Sequence, residues 1–168
     1  MDTPTEISVS TTRGAMTIGA ATAGTMLIVG LFKLQILEWI VFLGGIYYAM
    51  TVYRKVLGGI IVYADALVIG IKTAFFASLI LAFVAYMNAT LEPASLAALI
   101  DAAEEQMLKT SGMQPGMVEN AVQRWREMLT PAILGGIVIF MYSAAGGLTS
   151  IIFAIFARNA KRGEFVEY

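Results

Sequence analysis

Lys72 is the residue in this sequence whose type and place most suggest chemistry. It lies in the apolar run 64–87, whose other charge is Asp65, seven residues earlier. On a helix the two point to nearly the same face, with backbones roughly 10 Å apart. A charge in hydrocarbon costs about 3 kcal/mol or more, so an intramembrane charge is a functional candidate by default. Asp65 and Lys72 are therefore a candidate intramembrane polar pair, able to act as an ion-pair gate or a proton-coupling pair on a transport path. The plainer expectation takes precedence. Helical side chains lean toward the N-terminus, so Lys72 can snorkel to that interface, and Asp65 suits the positive end of the helix dipole.

Other chemistries lack their residues. The sequence has no Cys and no His, which removes disulfides, thiol and imidazole catalysis, and zinc or haem sites built on those ligands. Glu104-Glu105 has no metal-type spacing and reads as a wet helix face. There is no P-loop, no G-x-S-x-G elbow and no dinucleotide fingerprint. A net charge of −1 leaves no basic footprint for nucleic acid. No catalytic residue, metal site or cofactor is expected, and the chain is not expected to be an enzyme.

The elements that hold these residues are membrane spans. Hydrophobic residues make up 58% of the 168 and charged ones 14%, against roughly 45–50% and about 25% in soluble domains. Mean hydropathy is +0.76. A crossing needs about 20 mostly apolar residues for a hydrocarbon core of roughly 30 Å. Residues 15–32, 36–53, 64–87 and 131–157 qualify. Lys33-Leu34-Gln35 leaves room for only a tight turn, so the first two spans should pair antiparallel. The leader 1–14 has Asp2, Glu6 and a single Arg13, not the positive n-region of a signal peptide, so the first span is expected to be permanent.

Lys and Arg in the short flanks set orientation. Segments 1–14, 54–63 and 158–168 share one side and carry Arg13, Arg54, Lys55, Arg158, Lys161 and Arg162. The other side has Lys33, Lys109, Arg124 and Arg126. Both termini are expected in the cytoplasm and residues 88–130 outside.

That outer connection is patterned. Pro93 suits a first helical position and Gly112 a C-terminal cap. Between them Leu96, Leu99, Ile100, Ala103, Met107 and Leu108 recur at helical spacing, with Asp101, Glu104 and Glu105 opposite. A second stripe shows Val118, Ala121, Val122, Trp125 and Leu129 before Thr130-Pro131 restarts the chain. The expected fold class is an all-α membrane protein of four transmembrane helices, with an amphipathic helical hairpin between the third and fourth. The hairpin should pack on itself, on the bundle end or on a partner.

Small and polar residues suggest how the spans meet. Gly135-Gly136 and Gly146-Gly147 are eleven residues apart, about three turns, and with Ser143 and Ser150 propose one helix-packing face. Packing within the chain is favoured over packing on a second copy. Thr51, Thr73, Ser78 and Ser143 are available as polar glue. Glu38-Trp39, Tyr53, Tyr63 and Tyr86 fall near span ends, as interface anchors do, whereas Tyr47 and Tyr48 lie deeper. Arg54 and Lys55, in the apolar connection 54–63, are candidate lipid-headgroup contacts at about 1 kcal/mol per charge.

The order of these features resembles a family of small bacterial membrane proteins classed as domain of unknown function 4199. The resemblance rests on Gly45-Ile46-Tyr47, Tyr53-Arg54-Lys55, Leu57-Gly58-Gly59 and Ile61-Val62-Tyr63. It continues in Glu104-Glu105-Gln106-Met107-Leu108, Ser111-Gly112-Met113 and Met128-Leu129-Thr130-Pro131. It implies an inner membrane of bacteria of the Bacteroidetes type and a hairpin facing the periplasm, and brings no activity or cofactor. Members often carry a small or polar residue where Asp65 stands here. The function expected is that of an accessory or scaffold protein in the lipid bilayer, self-associating as a homo-oligomer or docked on a larger membrane complex. The alternative is a small oligomeric transporter or channel using Lys72 and Asp65.

Overall fold

The computed structural model describes residues 4–32, 34–110 and 115–158, and they form six helices: α1 (Pro4–Leu31), α2 (Gln35–Val56), α3 (Tyr63–Leu91), α4 (Pro93–Thr110), α5 (Pro115–Met128) and α6 (Pro131–Ala157). Four are long and apolar enough to cross a membrane, over Thr11–Leu31, Ile36–Val56, Tyr63–Leu91 and Pro131–Ala157. This is the all-α membrane architecture that the composition predicts. The cap predicted at Gly112 lies outside the described residues.

Helices outrun the apolar windows, because main-chain hydrogen bonding does not stop where hydropathy does. α1 begins at Pro4 instead of residue 15, and α3 continues to Leu91, through residues that hydropathy assigns to the outer connection. Arg54 and Lys55 are not in a loop as the sequence suggests. They form the last turn of α2, where cations complement the negative end of the helix dipole. Proline marks each later start: Pro93, Pro115 and Pro131 open α4, α5 and α6, at the position where the missing N–H costs nothing. Thr130 caps α6, its Oγ1 accepting from the Ile133 amide at 3.3 Å.

The end of α2 shows why two glycines follow it. Gly58 and Gly59 have φ of 74° and 90°, a region that disfavours side chains. This lets the Gly58 amide reach the Lys55 carbonyl (3.2 Å) and the Gly59 amide reach that of Arg54 (2.8 Å). The pairing is a Schellman motif. Arg54 reinforces it, donating from Nε to the Gly59 carbonyl at 3.1 Å.

Packing divides the chain into two units, residues 1–81 with 139–168, and residues 82–138. In the first, Phe42, Ile46, Met50 and Tyr53 recur at helical spacing along α2 and are buried with Ala23 and Met26 of α1, Ala66, Ile69, Ala74 and Ala77 of α3, and Ala154 and Ala157 of α6. In the second, Ile100 of α4 is buried with Val118 and Val122 of α5, flanked by Leu96, Met107 and Leu129.

Candidate functional site

Neighbouring pairs in the first unit give its register. A Cβ on Gly14 would lie 3.0 Å from the Tyr53 ring, one on Gly45 would overlap Thr22, and one on Gly30 would lie 3.0 Å from Glu38 Oε1. The partner numbers fall as the α1 numbers rise, so α1 and α2 run antiparallel. α6 meets α3 in the same sense: Ser150 beside Gly70, Gly146 beside Ala74, and Ser143 hydrogen-bonded to Ser78 at 3.0 Å. One end of this unit therefore gathers Arg13, Arg54, Lys55, Asp65 and Arg158, while Glu38 stands at the other.

Lys72 turns toward the cationic end. Its Nζ donates to Thr12 Oγ1 at 2.9 Å, near the start of the apolar part of α1. Asp65 is exposed and makes no ion pair with Lys72 within 4.0 Å among the described residues. The two residues share a helix, but the structure does not join them. Close passage of α1 over α3 explains Thr12's place, since a Cβ on Gly19 would lie 2.8 Å from the Thr73 carbonyl.

At the opposite end Trp39 stacks on Tyr142, with centroids 5.6 Å apart and 19° between planes, and Phe42 meets Tyr142 edge-on at 5.3 Å. Trp39 keeps the exposure of an interface anchor, but Tyr53 is only 4% exposed. The sequence reads Tyr53 as a span-end anchor; packing against Gly14 takes it inside instead. Tyr47 meets Phe153 edge-on, and Tyr48 is largely exposed.

The predicted packing face of α6 is split. Gly146 and Ser150 are buried, and Ser143 is partly buried. Gly135 lies against the Ala82 carbonyl and Tyr86 within the second unit. Gly136 and Gly147 face open space, with nothing within 4 Å of an added Cβ. Adjacent helical residues point about 100° apart, so each pair cannot share one face. Of the four candidate glue residues, Ser78 and Ser143 bond between helices. Thr51 and Thr73 donate to carbonyls of their own helices, Tyr48 and Ile69.

On α5 the apolar stripe divides in a similar way. Val118 and Val122 turn inward, whereas Met117, Trp125 and Met128 stay exposed beside Arg124. Arg126 ties the pair together from outside, its Nη2 2.5 Å from Asp101 Oδ1 and 3.8 Å from Glu104 Oε2. Lys109 pairs with Glu105 along α4.

Residues 12–159 match the family described as protein of unknown function, DUF4199. This chain belongs to that family. The match takes in the whole of α2 to α6 and most of α1. No curated protein and no solved structure matches the chain.

The residue of this DUF4199 protein that sequence reasoning missed is Thr12. It sits in what reads as a polar tail, sixty residues from Lys72. The available signal was depth: a snorkelling lysine on α3 ends level with the start of a parallel neighbour's apolar run.

Proposed function

We propose that this DUF4199 protein is a non-enzymatic accessory or scaffold component of a bacterial inner membrane, self-associating or docked on a larger membrane assembly. The outer face of α6 carries the reading. α6 buries the smallest share of its length among the four spans, and its Gly136 and Gly147 stand open. Small residues on a lipid-facing span let a second helix approach closely, which drives association where hydrophobicity cannot. The exposed Met117, Trp125 and Met128 of α5 offer a second surface for a partner. Mass measurement of the native complex in mild detergent tests this. An oligomer or a co-purifying membrane protein is expected, lost in a Gly136→Leu, Gly147→Leu double variant. A bare monomer overturns it.

Both termini are assigned to the cytoplasm, with α4 and α5 on the far side. Support comes from Arg13, Arg54, Lys55 and Arg158 gathering at one end, as the positive-inside rule requires. Because the chain has no cysteine, Asp65→Cys and Glu119→Cys can be labelled singly in intact cells. An impermeant maleimide should mark the second and spare the first; the reverse pattern inverts the topology.

A further inference from the structure

We infer that Lys72, with Thr12 beside it, binds the phosphate of one anionic phospholipid in the leaflet at the N-terminal end of α3. The inference rests on the membrane reading but not on how the protein associates. Lys72 is partly buried, and among the described residues its ammonium has one partner, the Thr12 hydroxyl at 2.9 Å. An ammonium offers three donors, and a hydroxyl brings no countercharge. Asp65, the nearest carboxylate along α3, is exposed and does not neutralise it. A partly buried charge with no countercharge among the described residues is unfavourable, so the site calls for an anion.

Depth identifies which anion. Lys72 is nine residues, about 13 Å, into a helix of roughly 43 Å, against a hydrocarbon core of about 30 Å. With α3 centred, its Cα lies about 7 Å inside the hydrocarbon edge, close to the reach of a lysine stem leaning N-terminally. Thr12, at the second position of α1's apolar stretch, gives the same level. The ammonium thus stands where phospholipid phosphates and glycerol esters begin. Arg13, Arg54, Lys55 and Arg158 lie at that end of the unit with Asp65, a positive excess that concentrates anionic headgroups. A phosphate carried by a lipid is held at that level by its acyl chains, whereas a free one has no such tether.

Native mass spectrometry of the detergent-solubilised chain, titrated separately with phosphatidylglycerol, phosphatidylcholine and inorganic phosphate, tests the site. One phosphatidylglycerol should be retained in preference to phosphatidylcholine. Affinity should fall about tenfold in Lys72→Gln, as loss of a charge-assisted hydrogen bond predicts, and return in Lys72→Arg. Thr12→Val should weaken retention by a smaller factor and keeps the test available if Lys72→Gln does not fold. Native affinity in either Lys72→Gln or Thr12→Val overturns the proposal, as does equal retention of phosphatidylcholine. Displacement of the lipid by millimolar inorganic phosphate overturns the lipid as occupant and assigns the site to a free anion. Lipid counts and oligomer mass are separate readouts, so this proposal and the scaffold reading fail independently.

Discussion

Along α6 in the first unit, the buried positions are Gly146, Ser150, Ala154 and Ala157, while Phe140, Leu148, Ile152 and Phe156 are exposed. Between α4 and α5 the order is the reverse: Ile100, Val118 and Val122 are buried, and Glu105, Lys109 and Arg124 are exposed. Two rules sort side chains in one chain. Along α6 both faces are apolar and lipid is as good a solvent for leucine as the protein is, so size decides which face turns inward. The larger Phe42 and Ile46 of α2 fill the space beside Gly146. Between α4 and α5 the charged side chains stay out and the buried seam is apolar, as polarity dictates, although Met117, Trp125 and Met128 of α5 remain exposed.

The widest separation of the two rules is expected at Gly146. A Cβ there would overlap that of Ala74, and Gly146→Leu should cost more than about 3 kcal/mol, above the usual range for overpacking. Gly147→Leu, one residue on and facing open space, should cost the isolated chain, under conditions where it is monomeric, less than about 0.5 kcal/mol. Equal losses of helical signal in denaturant titration of the two variants would mean that size does not sort this core. Next in magnitude is Ile100→Ala, expected to cost about 2–4 kcal/mol by cavity formation, read as faster amide exchange in α4 and α5. Ile152→Ala removes the same atoms from an exposed position and should change stability by less than about 0.5 kcal/mol.

Smaller effects sharpen the contrast. A double-mutant cycle on Ser78→Ala and Ser143→Ala should give a coupling of about 0.6 kcal/mol, typical for hydrogen bonds between membrane helices. A coupling above about 2 kcal/mol would exceed that range and put polar contacts, not size, in charge of α3 and α6. Arg126→Gln should cost about 0.5 kcal/mol or less, because Arg126 and Asp101 are largely solvent-exposed. That loss should fade in high salt.

Much of the fold was legible because it is written in local pattern. The four spans follow from run length, the α4 and α6 starts from Pro93 and Pro131, and the α4–α5 pair from stripes at helical spacing. The ends of the spans were less so, since α1 and α3 continue as helices beyond their hydrocarbon windows. Of the candidate site, Lys72 was visible as the odd charge and Thr12 was not. Nothing in the local pattern of residues 1–14 distinguishes a threonine that will meet a lysine sixty residues away.

Composition and periodicity are properties of short stretches, so they suffice for which segments leave water, where helices begin and which residues form the water-facing stripe of α4. They carry no information about direction around a span that is apolar on every side. Packing alone separated Gly146 from Gly147, drew Tyr53 inward against Gly14, and gave the Lys72 ammonium to Thr12 instead of Asp65. Each of those outcomes depends on how closely two backbones approach, and that distance exists only once the helices are side by side.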